Sequence, residues 1–190
     1  MTTGTFVVLM ANLLFIGLLP IIFFRRDGRL NIMWWVLASP FFLSGAYVVG
    51  QYLGFTSPMY NRQVSAVIEA VATVLSVGSI ALIAYTLGTH RRRLSLWHQK
   101  NDAPEEIVTY GAYRYVRHPF YSSFILALTA TAILSLTPWA LVTSIFGVMM
   151  LNYTAALEEK KLAGSEYGSQ YQKYIEHSGR FMPKVRRGTA

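Results

Sequence analysis

Five long apolar stretches hold only one charged side chain between them, and nothing else restricts the fold of this chain as much. They cover residues 5–24, 31–54, 64–87, 119–136 and 140–157, and the one charge is Glu69. An α-helix needs about 20 residues to cross a bilayer. The pattern therefore predicts an all-α integral membrane fold with five transmembrane helices. "RR" at 25–26, "FTSPMYNRQ", "GTHRRR", "TPW" and "EEKK" close the successive stretches. A turn as short as Thr137-Pro138-Trp139 makes the last two helices an antiparallel C-terminal hairpin, followed by a helical tail. The membrane portions of that hairpin are short, so little tilt is expected. No internal repeat or linker divides the chain, and residues 1–190 are read as one membrane domain.

Composition agrees and removes other classes. Charged residues make up 14% of the chain, well below the roughly 25% of soluble domains. With no Cys, disulfides and thiolate metal sites are excluded. The four His, at 90, 98, 118 and 177, show no H-E-x-x-H spacing, so no dedicated zinc site is expected.

The net charge of +8 is mainly a topology signal. Alternation through five spans puts residues 25–30, 88–118 and 158–190 on one side, with 16 of the 17 Lys and Arg; Arg62 alone lies opposite. This bias predicts an outside N-terminus and a cytoplasmic C-terminus, as in a prokaryotic cytoplasmic membrane. Headgroup attraction, above all at "HRRRLSLW", is a secondary effect, and nucleic acid is not an expected partner. The first stretch is read as a retained helix, because signal peptides carry positive charge before the apolar core rather than after it.

Polar chemistry is crowded against the fourth stretch in "GAYRYVRHPFYSS", residues 111–123. Pro is favoured at the first helical position, so His118-Pro119 reads as a helix start. The N–H groups of Phe120, Tyr121 and Ser122 would then form an anion site beside Arg114 and Arg117. The hairpin returns Glu158 and Glu159 to the same membrane face, at the partly negative end of helix five. Two poles of this kind suit a zwitterion, with Tyr113, Tyr115 and Tyr121 offering aromatic faces to a cation or nucleobase. Interfacial anchoring without any ligand gives the same composition, and "EEKK" also fits a solvated helix end.

"GAYRYVRHPFY", followed by "EEKKLAGSEYGSQYQKYIEHSGRFMPK", resembles the isoprenylcysteine carboxyl methyltransferase and phospholipid methyltransferase group. That group's pattern is roughly G-x-Y-R-x-x-R-H-P-x-Y, a hairpin, E-E-x-x-L and a closing R-[FY]-x-P, here over residues 107–184. The resemblance implies S-adenosylmethionine as methyl donor, bound by residues 88–190 at the cytoplasmic boundary. It also implies a lipid-like or hydrophobic acceptor among the membrane lipids, such as an isoprenylcysteine carboxylate, a phospholipid amine or a small thiol. Tyr113, Arg117, His118, Pro119 and Tyr121 match the first motif, Glu158 and Glu159 the second, and Arg180 and Pro183 the last. Ala112 and Ser123 depart from a frequent Pro and Gly.

The implied transfer is an in-line displacement that needs alignment rather than a metal. A carboxylate acceptor would need a cation, Arg117 or Arg180, to orient it. An amine would need a base, Glu158, Glu159 or His118. Glu158 or Glu159 is expected to hold the donor's ammonium or ribose, and His118 with the helix start its carboxylate. Membrane sterol reductases, which use NADPH, share an R-H-x-x-Y stretch but have R-D where this chain has E-E. A lipid-binding scaffold is the non-enzymatic alternative.

Three further expectations concern polar residues elsewhere. Glu69 is expected to pair with Gln51 or Arg62, or to be protonated. Asn152 is expected to reach substrate or backbone. Tyr167, Tyr171 and Tyr174 form one helical face, resting at the membrane interface or touching the cofactor.

Overall fold

The computed structural model describes residues 1–18, 23–24, 28–89 and 107–184. The "HRRRLSLW" loop, with His90, Trp97 and His98, lies outside them. Among the described residues all regular structure is helical, apart from two isolated bridges. The helices are α1 (Thr3–Leu18), α2 (Ile32–Tyr52), α3 (Arg62–Thr89), α4 (Pro119–Ser135), α5 (Pro138–Ala163) and α6 (Gly168–His177); a 3-10 turn, Gly111–Arg114, precedes α4. Three helices are long and apolar enough to cross a membrane: α2, α3 from Gln63, and α5. At 17 residues, α4 spans roughly 26 Å.

α4 sits at the centre and packs on α1, α2, α3 and α5. Eleven of its 17 residues are buried. Its apolar character therefore serves helix packing rather than lipid contact. At the far end, Leu136 adopts a left-handed conformation (φ 42°) and Thr137 accepts from the Ala140 N–H, capping α5 with Pro138 at its first position. Gly147 of α5 faces Leu128 and Pro40, where a Cβ would come within 2.6 and 3.1 Å of their side-chain carbons. Ser144 Oγ also donates to the Leu128 carbonyl at 3.1 Å. Three helices thus meet at a position that only a hydrogen side chain fills.

A polar seam runs along α3 at helical spacing. Thr5 bonds Thr73 at 3.2 Å, and Ser79 Oγ reaches Asn12 Oδ1 at 3.0 Å and the Ser123 carbonyl at 2.8 Å. Ser79 and Ser123 are fully buried. Where lipid supplies no hydrophobic drive between helices, such small polar contacts help select their partners.

Two sequence expectations need correction, and Glu69 has partners at Met1 and Thr2 rather than at Gln51. Helix one, described over Thr3–Leu18, does not run to Phe24: Phe24 pairs with Leu30 in an antiparallel bridge, and the Asn31 N–H donates to the Phe23 carbonyl. Helix five begins at Pro138 and continues through "EEKK" to Ala163, because loss of hydropathy ends a membrane segment without ending a helix. Glu69 accepts from the Thr2 N–H at 2.7 Å and faces the Met1 amine at 3.5 Å. Gln51 instead donates to Tyr60 Oη and the Leu134 carbonyl.

Candidate active site

The start of α4 is fixed from two directions. Before it, the 3-10 turn is set by Gly111 (φ 60°), which lies directly against the Thr89 side chain at the end of α3, so a Cβ would collide there. Across it, the segment after α6 runs alongside as a strap. Gly179 bridges Val116, the Arg117 N–H donates to the Gly179 carbonyl at 2.8 Å, and the His118 N–H donates to the Arg180 carbonyl at 3.1 Å. Ser122 Oγ donates to the Phe181 carbonyl at 2.7 Å. The Ser122 N–H already bonds the His118 carbonyl at 2.9 Å, which removes it from the expected anion site.

Glu159 gathers cations. Its Oε1 accepts from Arg117 Nε at 3.0 Å and Arg180 Nε at 3.1 Å, and its Oε2 from Arg180 Nη2 at 2.5 Å. Both guanidinium groups reach further: Arg117 Nη1 donates to the Ser178 carbonyl at 2.6 Å, and Arg180 Nη1 to Asn152 Oδ1 at 2.7 Å. One carboxylate thus joins α5, the start of α4 and the strap. His118 Nε2 lies 3.3 Å from Glu159 Oε1, yet without hydrogen-bond geometry.

Glu158, one residue earlier, has different surroundings. Its Oε1 accepts from Tyr121 Oη at 2.7 Å, and its Oε2 lies 3.5 Å from His118 Nδ1. The rings of His118 and Tyr121 stack parallel, 5.3 Å apart. Tyr113 is close enough for the Glu158 charge to act on it. Burial, then Tyr174 and Glu158, push its hydroxyl well above the ordinary tyrosine range. The residues around Glu158 are thus aromatic, and no guanidinium among the described residues bonds it.

The tyrosines of α6 turn inward rather than resting at the membrane interface. Tyr171 is 2% exposed, and Tyr174 Oη donates to the Tyr113 carbonyl at 2.5 Å. Burial raises the Tyr174 hydroxyl to about 12. His177 and Pro183 are exposed. Asn152 meets Arg180, not backbone, a pairing that spacing along the chain did not reveal.

An apolar cavity of about 430 Å³ opens between α1, α2 and α4, lined among others by Leu13, Ile16, Trp34, Leu37, Phe41 and Phe124. None of its lining residues is ionisable. Phe124 packs against Tyr121 with ring centroids 6.1 Å apart, so one turn of α4 touches the cavity on one side and the Glu158 cluster on the other.

Residues 89–164 match the model of the isoprenylcysteine carboxyl methyltransferase (ICMT) family. Over these residues the chain is ICMT-like. The matched segment contains the 3-10 turn, α4, α5, Glu158 and Glu159; α6 and Arg180 lie beyond it. A methanethiol S-methyltransferase of Pseudomonas sp. strain GM41 is 31% identical over 111 residues, covering 55% of this chain and 42% of that protein. The chain therefore spans less than half the length of that relative. No solved structure matches.

Proposed function

We propose that this chain is an integral membrane methyltransferase that methylates a small, neutral, apolar acceptor, a thiol before other classes, from S-adenosylmethionine. The observation that carries the reading is the shared turn of α4, where Tyr121 holds Glu158 and Phe124 lines the apolar cavity. A water-soluble cationic donor and an acceptor dissolved in lipid need such a junction.

S-adenosylmethionine, when bound, supplies a methyl group on a sulfonium sulfur. The residues suit its cationic part: Glu158 offers a carboxylate that no guanidinium among the described residues bonds, among the rings of Tyr113, Tyr121 and His118. Tyr121 occupies Oε1 and fixes the carboxylate, so Oε2 faces the donor and can receive a thiol proton. The acceptor's apolar part fills the cavity, and Phe124 sets how far it advances. A carboxylate acceptor is disfavoured because Arg117 and Arg180, the cations that would orient it, are both bonded to Glu159. The methanethiol S-methyltransferase relative supports the choice of a thiol.

Calorimetric titration of the detergent-solubilised protein with S-adenosylhomocysteine, with NADPH as control, tests the donor. Saturable binding of the first alone is expected, with loss of binding in Glu158→Gln. Binding of NADPH alone would transfer the chain to the reductases. Binding of S-adenosylhomocysteine that Glu158→Gln leaves intact would remove Glu158 from the site.

A further inference from the structure

A second cavity, of about 380 Å³, lies between the 3-10 turn and α6. Thr109, Arg114, Gln170, Lys173, Tyr174 and His177 line it, with Ser178 at its edge, and no carboxylate is among them. The α6 members recur at spacings of three and four, so one helix face presents them together. The floor is bonded within itself: Tyr174 Oη to the Tyr113 carbonyl, and Ser178 Oγ to the Tyr174 carbonyl at 2.6 Å. His177 Nδ1 lies 2.9 Å from the Lys173 carbonyl, which sets the ring against the helix. The cations are not matched in this way. Among the described residues neither Arg114 nor Lys173 has a carboxylate within ion-pair distance, and Arg114 lies 6.0 Å over the ring of Tyr115.

Among the described residues, two basic side chains from different elements converge on one concavity without a counter-charge, and an anion would relieve their repulsion. We propose that this pocket binds the phosphate of an anionic phospholipid headgroup. A guanidinium fork, an ammonium point charge and the neutral donors of Thr109 and Gln170 match phosphate oxygens. Lipid is favoured over dissolved phosphate by the pocket's flanks: Tyr110 and Tyr115 are 47% and 54% exposed, and such amphipathic rings belong at headgroup level. Arg114 also ends the 3-10 turn that precedes α4, where the chain turns from polar to apolar. A bound headgroup would tie the 3-10 turn to α6, and through Ser178 and Arg117 would hold the strap against α4. This site stands apart from the reading of Glu158 and needs no methyl donor.

The test uses the full chain in an uncharged detergent, with unfolding followed by intrinsic fluorescence. Short-chain phosphatidylglycerol, short-chain phosphatidylcholine, inorganic phosphate and S-adenosylhomocysteine are each titrated. Phosphatidylglycerol is expected to raise the unfolding midpoint saturably, and the other lipid and inorganic phosphate to leave it unmoved at matched concentration. Arg114→Gln and Lys173→Gln should each weaken the phosphatidylglycerol effect about tenfold, while Lys160→Gln should not. An equal response to phosphatidylcholine overturns the proposal, as does an unchanged response in both variants. An equal effect of inorganic phosphate would make this a soluble-anion site, and displacement of the lipid by S-adenosylhomocysteine would give the pocket to the donor. If Arg114→Gln fails to fold, Lys173→Gln, on the exposed face of α6, still decides.

Discussion

Glu159 lies between two guanidinium groups with its side chain 11% exposed, whereas Glu158 is bonded by a tyrosine and by no guanidinium among the described residues. Removing one partner of a buried ion pair leaves the other charge uncompensated in a low-dielectric setting, at a cost of about 3 kcal/mol. Glu159→Gln is accordingly expected to lower the unfolding midpoint substantially, read by differential scanning fluorimetry, while Glu158→Gln stays near the parent. Equal midpoints for the two variants would contradict this division. Tyr121→Phe should fold normally and weaken S-adenosylhomocysteine binding about tenfold through loss of one hydrogen bond to a charged group. Both glutamates could be picked out from "EEKK", but their different surroundings could not. Which one meets Arg180 depends on how α6 and the strap return across α4, and no spacing along the chain encodes that.

At the scale of elements, α5 is one continuous helix that carries the exposed, apolar Leu157 and the polar Glu158 on consecutive residues. Its fit against α2 and α4 rests on Gly147. Gly147→Ala should cost about 1–3 kcal/mol by overpacking, seen as a lower unfolding midpoint with unchanged helical circular dichroism. α6 docks through its tyrosines, and this gives the fold an alkaline limit. The Tyr174 hydroxyl titrates at about 12 when folded against 10.0 as its ordinary value. The folded state therefore holds the proton more tightly, and the stability it contributes is complete below pH 10 and lost as pH rises toward 12. A fall in unfolding midpoint over that range, shallower in Tyr174→Phe, is the expected result. Hydropathy located the spans well, because apolar runs and helices coincide in lipid. It hid the α3 seam, since Ser and Thr within an apolar run look the same whether they face lipid or a neighbouring helix.

For the molecule as a whole, we propose from the distribution of Lys and Arg that the α6 face lies in the cytoplasm and the α2–α3 loop outside. The chain has no cysteine, so this can be read directly. Ser57→Cys should react with a membrane-impermeant maleimide in intact cells and Ser169→Cys only after permeabilisation; the reverse would invert the topology. Helix count, hairpin and the polar crowd at the start of α4 were legible because each rests on contiguous sequence. The apolar cavity was not, since it is assembled from residues of three helices and none of them is unusual in its own segment.

The strap also imposes an order in time. The N–H groups of Arg117 and His118 and the carbonyl of Tyr115 find their backbone partners at 179–180, so the start of α4 stays unfinished while the hairpin inserts and until α6 has folded back. Throughout synthesis the nascent chain would carry Arg117 and Glu159 near each other without the second arginine. Competence would then arrive in a single late step, after the membrane-embedded part is already in place.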